Sequence, residues 1–316
     1  MIITVLAKLI PLLVLIAFGR VLKLLHFFSD TAIELLKKIV INLGLPAVLF
    51  LSFSTMTIEL SVIWIIIAVG IMNILLLLYG KAIFRKSASP GQSFMLTGFE
   101  YGMFALALFS VAYGGSSDNA VSYIAVVDLG HELFIWFIFV PLVQSLSMST
   151  SRSLSSTLKS FIENPIIISI ILGLILNLSG LNDLLNQQLL WKGLLHTLDM
   201  MASLTAPLIL LILGAGLSFS GKDLRFAAKI ILLRLPLVLI MYFMIDFLLF
   251  RRILGLAFGF SAALFVLMIS PPPFVLPLYL REKDKTDNSG LNTTLAVHTV
   301  LSLVIFIVYF YIYPSI

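Results

Sequence analysis

Apolar segments follow one another along almost the whole chain, and only short polar stretches separate them. A helix needs about 20 predominantly apolar residues to cross the hydrocarbon of a bilayer. Because most segments have the length of a helix, the sequence predicts an all-α polytopic membrane protein.

Ten of these segments are expected to be membrane spans. They are 2–25, 33–53, 60–84, 92–114, 119–146, 161–181, 194–217, 226–249, 253–280 and 290–314. Fifteen of the 20 Lys and Arg residues lie in or beside the connections after odd-numbered spans. The positive-inside rule places those connections in the cytoplasm. We therefore expect an integral protein of a prokaryotic inner (plasma) membrane, with both termini outside.

The composition narrows the function classes. Only 11% of the residues are charged and 60% are hydrophobic, whereas a soluble domain has about 25% charged residues, so a globular cytosolic enzyme is excluded. The chain has no Cys and a net charge of +5 that comes from short loops, which points neither to a Cys metal site nor to nucleic acid. Motifs of zinc proteases, serine hydrolases and P-loop ATPases are missing. We expect no enzyme activity, cofactor or metal, and a membrane enzyme or sensor is the alternative class.

Two of the predicted spans are interrupted. In span four, segment 97–102 (TGFEYG) places Glu100 between two glycines, and in span nine, segment 270–277 (SPPPFVLP) contains four prolines. Such breaks persist in hydrocarbon only where the freed backbone groups are buried or line a cavity. Paired breaks in corresponding positions of two half-sequences point to the binding site of a transporter. The sequence therefore predicts a transport protein with its site at the two breaks.

The chain is expected to consist of two repeats. Residues 1–148 and 161–316 hold five predicted spans each, and a cytoplasmic Ser-rich connector at 149–160 joins them. Because five is odd, the second repeat is inverted relative to the first. Three sets of pairings support the division: Pro11 and Gly19 with Pro165 and Gly173, segment 45–49 with segment 206–210, and Ala107 and Asp128 with Pro277 and His298.

This architecture and three segments resemble the auxin efflux carrier family of the bile acid/arsenite/auxin transporter superfamily. The segments are 45–50 (LPAVLF), 164–177 (NPIIISIILGLILN) and 206–217 (APLILLILGAGL). The resemblance implies ten helices in two inverted repeats, with broken helices four and nine crossing near the membrane centre around the substrate site. The fourth helix of that family typically has Asn and, seven residues later, Pro, whereas Glu100 and Ala107 stand at those positions here.

The leading hypothesis is a secondary active transporter, a permease, that moves a small organic anion such as a mono- or dicarboxylate by alternating access. Backbone amides freed at half-helix N-termini favour an anion. The expected partners of this transporter are its substrate and the lipid bilayer. Transport coupled to protons, or uniport, is the preferred mode. A sodium-coupled symporter of the bile acid transporter type is the alternative. The sequence leaves substrate, direction and oligomeric state open, a homodimer included.

Glu100 is the first candidate for substrate contact or proton coupling. An ionisable group inside a span is costly to insert and usually faces the bundle interior or water, and burial favours the neutral carboxyl group. Asp128 and His131 share a helix face in span five with Glu132 nearby, and we expect them, with Glu100, to bind the coupling ion. The other residues expected at the substrate site are Tyr101, Gly102, Asn42, Pro273, Pro277, Tyr279 and His298.

Arg234 lies within span eight, a few residues from its predicted cytoplasmic end. A guanidinium group there is a candidate counter-charge for an anion. We expect instead that the side chain extends to the membrane interface, as long basic side chains near helix ends do.

Overall fold

The structure, a computed structural model, describes residues 2–56, 61–85, 91–114, 120–147, 163–181, 185, 187–217, 223–274, 276 and 288–316. These residues form helices, turns and loops, and none of them lies in a β-strand. The expectation of an all-α protein is therefore confirmed for this part of the chain.

Most helices are long and predominantly apolar. In chain order they are α1 (Ile2–Leu24), α2 (Asp30–Thr55), α3 (Ser61–Ile83), α4 (Gly91–Phe94), α5 (Tyr101–Tyr113), α6 (Ala120–Phe134, continued by Ile135–Phe139 and Val140–Ser147), α7 (Pro165–Leu178), α8 (Leu189–Gly216), α9 (Leu224–Ile253), α10 (Phe258–Ile269) and α11 (Asn288–Ile312). A π-helical segment lies within α2 and within α6, at the start of α5 and at the end of α9.

Within the described residues, six helices are long and apolar enough to cross a membrane, namely α2, α3, α6, α8, α9 and α11. They coincide with the predicted spans two, three, five, seven, eight and ten, so a membrane-embedded protein is supported. The apolar helices at predicted spans four, six and nine are shorter, at 10–17 residues. The total of ten spans, the orientation of the termini and the inverted repeat stay predictions.

Capping residues and prolines in the sequence explain where several helices begin or end. Asn164 caps α7, because its side-chain oxygen accepts from the Ile166 amide at 2.9 Å and Pro165 occupies the first helical position. Ser29 caps α2 in the same way by accepting from the Ala32 amide at 3.0 Å. The α10 helix ends at Ile269, where the run of prolines begins.

The helices pack in pairs around two clusters of buried apolar residues. The most extensive contacts join α1 with α8, α2 with α7 and with α8, α3 with α6, and α9 with α11, while α6 also packs against α10. Small residues let some of these backbones touch. A Cβ atom added to Gly19 of α1 would overlap the Leu211 carbonyl of α8, and one added to Gly214 of α8 would overlap the Ile16 carbonyl of α1.

Candidate functional site

The two interrupted segments contact each other directly. Loop 95–100 leads into α5, and loop 270–274 follows α10. The Glu100 amide in the first loop donates to the Pro271 carbonyl in the second at 2.8 Å. A Cβ atom added to Gly98 would lie only 2.8 Å from Pro273 Cγ. The two loops therefore approach each other so closely that only a glycine fits at this position.

Each loop breaks its helix for a different local reason. Gly98 has a φ of +71°, a backbone conformation that other L-residues adopt at a cost. In the second loop, Pro271, Pro272 and Pro273 have no N–H to donate, so the helical hydrogen bonds cannot continue. Ser270 closes the end of α10 instead, since its amide and its hydroxyl both donate to the Leu267 carbonyl, at 3.1 and 2.6 Å.

Glu100 links the two loops through its carboxylate. Oε1 accepts from the Met103 amide at 3.0 Å and so caps α5, while Oε2 accepts from the Phe274 amide at 2.6 Å. Hydrogen bonds from amides to a carboxylate at a helix N-terminus are among the stronger ones in proteins. These two amides therefore already face an anion, which is the carboxylate of the protein itself.

Asp128 and His131 of α6 form a side-chain pair that contacts the backbone of loop 95–100. Both residues are 2% exposed. His131 Nε2 accepts from the Phe99 amide at 3.0 Å, and Nδ1 lies 2.9 Å from Asp128 Oδ1. Because Nε2 accepts, the proton of the neutral ring is on Nδ1, which donates to Asp128. The expected pairing of Asp128 with His131 is thus present, and it supports the residue next to Glu100.

Glu132 completes a group of three potential ligands with Asp128 and His131. One ligand atom from each residue lies within 4.8 Å of the others. However, both ring nitrogens of His131 are engaged as described, and Glu132 Oε2 accepts from Trp136 Nε1 at 2.7 Å. A metal ion needs a free imidazole lone pair, so this arrangement does not offer a histidine ligand.

Arg234 of α9 is the residue that our sequence interpretation placed wrongly. Its side chain does not extend to the interface: the residue is 1% exposed, and Nη2 donates to the Gly98 carbonyl at 2.7 Å and to the Ser270 carbonyl at 3.2 Å. Its guanidinium carbon lies 4.8 Å from the centre of the Phe99 ring. Both carbonyls are freed by the helix breaks, and a buried cation satisfies them. The only available signal was a charge inside a predicted span.

His298 of α11 lies in the same buried region of charge. It is 1% exposed, on a helix that packs against α9, which carries Arg234. Neither ring nitrogen has a hydrogen-bond partner within the described ranges of the chain. One turn further along α11, the Ser302 hydroxyl donates to the Ile269 carbonyl, which joins this helix to the end of α10.

Of the remaining residues expected at the substrate site, some lie at or near the contact between the two loops and others do not. Pro273 is buried against Gly98 in the contact between the loops. Tyr101 is 3% exposed at the start of α5, and Gly102 lies beside the Leu45 side chain.

Asn42 is not brought to the two loops by any contact of its side chain. It is exposed and donates to the Lys38 carbonyl of its own helix at 2.8 Å. Pro277 and Tyr279 were also expected at the site, and they lie outside the described residues.

No model of a known protein family matches this chain, and no curated protein is significantly similar to it in sequence. The resemblance to the auxin efflux carriers therefore rests on the residues and segments named above, and membership in that family stays a proposal.

Proposed function

We propose that this protein is a secondary carrier that moves a small organic anion, such as a mono- or dicarboxylate, across the membrane. The observation that carries the proposal is the contact between the two interrupted helices, which Glu100 joins by hydrogen bonds to Met103 and Phe274. Irregular backbone surrounded by apolar helices is typical of the substrate sites of carriers. Alternating access would proceed by movement of one part of the bundle against the other around this contact.

The packing supports an inverted repeat with ten spans as the architecture of this carrier. A Cβ atom added to Gly19 would overlap the Leu211 carbonyl oxygen. A Cβ atom added to Gly173, the predicted counterpart of Gly19, would lie 2.8 Å from the Phe50 carbonyl oxygen. Phe50 and Leu211 directly follow segments 45–49 and 206–210, which are paired in the repeat. The two contacts are therefore counterparts of each other, as expected for two repeats related by a pseudo-two-fold axis, which for an inverted repeat lies in the membrane plane.

We propose a proton as the coupling ion, with Asp128 and His131 as its path towards Glu100. Their hydrogen bonds end at the Phe99 amide, one residue before Glu100. A backbone amide does not relay protons, so His131 Nε2 could exchange a proton with Glu100 only after its hydrogen bond to the Phe99 amide opens, which we place at the step when the two loops move apart. A sodium-coupled symporter remains the second candidate for coupling, since the oxygen atoms of Asp128 and Glu132 lie close together.

The preference for an anion has a different basis from the one that the sequence suggested. We expected free amides at the half-helix N-termini to attract it, but Glu100 already accepts from the Met103 and Phe274 amides. The positive charge that remains at the contact belongs to Arg234. We propose that this guanidinium group makes the site suitable for an anion.

Uptake by the purified full-length chain in proteoliposomes tests this function. The solutes are acetate, succinate and malate, with the pH gradient and the sodium gradient varied separately. We expect saturable uptake of at least one of them, driven by the pH gradient and independent of sodium. Uptake driven only by sodium would favour the alternative coupling, and the absence of any carboxylate uptake would contradict the proposed function.

The variant Glu100→Gln tests the coupling role of this residue. Gln cannot bind and release a proton at this position, so we expect uptake that no longer responds to the pH gradient. Glu34→Gln is the matched control, because Glu34 is exposed and pairs with Lys37 on its own helix. Full pH-driven uptake in Glu100→Gln would contradict the role.

A further inference from the structure

The guanidinium group of Arg234 is buried with part of its hydrogen-bonding capacity unused. Nη2 donates to carbonyls of both loops, whereas Nε and Nη1 have no hydrogen-bond partner within the described residues. All of these nitrogens carry N–H groups that only donate. A buried donor without an acceptor costs about 1–3 kcal/mol, and more when the group is charged. Such a group has a strong tendency to bind an acceptor.

The charge of Arg234 is also not neutralised by direct contact. Among the described residues, no carboxylate oxygen lies within ion-pair distance of its guanidinium nitrogens. Glu100 directs its oxygens to the two amides, and Asp128 directs one oxygen to His131. A buried charge without a counter-ion is unfavourable, and it is normally paired or bound to a ligand.

The position of Arg234 is held from several sides, so its free donors have a defined direction. The Gly98 and Ser270 carbonyls hold Nη2, and the Phe99 ring packs beside the guanidinium carbon. A planar cation next to an aromatic ring is further stabilised by cation–π attraction. Arginine in a fixed position is well suited to bind carboxylates and other oxyanions.

His298 supplies a second unused group in the same region. It is buried, and both of its ring nitrogens are without a partner in the part of the chain that the structure covers. It lies one helical turn before Ser302, which donates to the Ile269 carbonyl, next to the Ser270 carbonyl that Arg234 binds. A neutral imidazole always has one N–H to donate. Two buried groups with free donors, one of them cationic, match the needs of a single anion.

We propose that Arg234 and His298 bind one carboxylate group of the transported solute at the contact between the two loops. This inference rests on the proposed carrier function and names the residues that select its substrate class. The carboxylate accepts from the free nitrogens of Arg234 and from the ring N–H of His298. Since both side chains are shielded from solvent, the anion reaches them when the two loops move apart during alternating access.

Binding to the purified full-length chain in detergent tests the proposal, with isothermal titration calorimetry as the measurement. The probes are succinate, its neutral diamide succinamide, and chloride, all with choline as the only added cation. We expect succinate to bind at least about 100-fold more tightly than succinamide, because only the acid carries the charge that Arg234 needs. Equal affinity for succinamide would overturn the proposal, as would chloride binding that matches succinate, since it would indicate an inorganic counter-ion only.

Variants assign the binding to these two residues. We expect Arg234→Gln to weaken succinate binding by about 100-fold, and Arg234→Lys and His298→Gln by about 10-fold each, because a charged hydrogen bond is stronger than a neutral one. Arg225→Gln is the control, since Arg225 is an exposed arginine on the same helix. If Arg234→Gln does not fold, the other two variants and the succinamide comparison decide the question. Unchanged affinity in folded Arg234→Lys and His298→Gln would overturn the assignment.

Uptake measurements on the same variants separate this inference from the carrier function. Succinate uptake that persists unchanged in the Arg234 and His298 variants would contradict the anion site and leave the carrier function intact. Binding that depends on Arg234, without uptake of any carboxylate by the wild type, would support the site and contradict the carrier function.

Discussion

The two interrupted segments end their helices by opposite means, and the difference explains why they fit together. Loop 270–274 contains three consecutive prolines, so it offers carbonyl acceptors, such as those of Ser270 and Pro271, but few donors. Loop 95–100 contains Gly98 and Glu100 and provides a donating amide together with a carboxylate. The two breaks fit together because the Glu100 amide donates to the Pro271 carbonyl, and the Phe274 amide donates to the Glu100 carboxylate.

Both loops also depend on side chains from outside themselves. Arg234 donates a hydrogen bond to a carbonyl in each loop. His131 accepts from an amide of loop 95–100, and Ser302 donates to a carbonyl at the end of α10. The loops are therefore parts of one hydrogen-bonded unit with contributions from α6, α9 and α11. The predictions below disturb this unit, from the largest expected effect to the smallest.

Gly98→Ala is expected to have the largest effect on stability. The left-handed backbone costs about 1–2 kcal/mol for an L-residue, and the overlap with Pro273 adds about 1–3 kcal/mol. Denaturant titration in detergent micelles measures the free energy of unfolding. Gly255→Ala is a matched control, since Gly255 has a φ of +60° but no described residue comes within 4 Å of an added Cβ, and we expect it to lose only about 1 kcal/mol. Equal losses would show that the close contact of the loops contributes nothing.

Glu100→Gln is expected to destabilise the protein by about 2 kcal/mol, because the amide side chain can accept from only one of the two backbone donors. The other amide, of Met103 or Phe274, then stays unsatisfied. The same titration measures the loss, at a pH where carboxylates are ionised. The control is again Glu34→Gln, for which we expect about 0–0.5 kcal/mol. A loss in Glu100→Gln no larger than in the control would contradict the bridging role.

His131→Leu is expected to cost about 1–2 kcal/mol, since it removes the acceptor of the buried Phe99 amide. Hydrogen exchange of that amide, followed by mass spectrometry of the peptide that contains it, should become faster while the exchange of α3 is unchanged. His196→Leu serves as the control, because His196 is exposed on α8. If the protection of the Phe99 amide were unaltered, the hydrogen bond to His131 would not hold this loop.

Ser302→Ala is expected to have the smallest effect, about 1 kcal/mol, from the loss of one hydrogen bond to the Ile269 carbonyl. Ser203→Ala is the control, since the exposed Ser203 donates only to the Met200 carbonyl of its own helix. A difference between the two in melting temperature would show that α11 stabilises the proline break. The same temperature for both would limit the outside support of that loop to Arg234.

Several features of the fold were predictable because they depend on local sequence. The six helices of membrane-spanning length follow from continuous apolar stretches. The breaks at Gly98 and at Pro271 follow from backbone chemistry that no neighbour changes. Asp128 and His131 were paired correctly, because residues three apart share a helix face.

Other features were not predictable, because they depend on which groups from distant segments come within reach. Asn42 was a candidate for the site, yet its side chain bonds to the Lys38 carbonyl of its own helix. Arg234 was expected at the interface, since a charge near a helix end can usually reach water. Nothing local indicates that two freed carbonyls lie nearer to it than the interface does.

By itself, the amino-acid sequence determined an apolar all-helical chain with two interrupted segments and a titratable residue in one of them. Those properties arise from hydrophobicity, proline and glycine, which act within a few residues. Only the tertiary structure decided that Glu100 joins both loops. It also decided that the Arg234 side chain is buried, with Nε and Nη1 not bonded to any described residue. Hydrogen bonds between segments that are more than 100 residues apart depend on how the helices pack, and no local pattern records that arrangement.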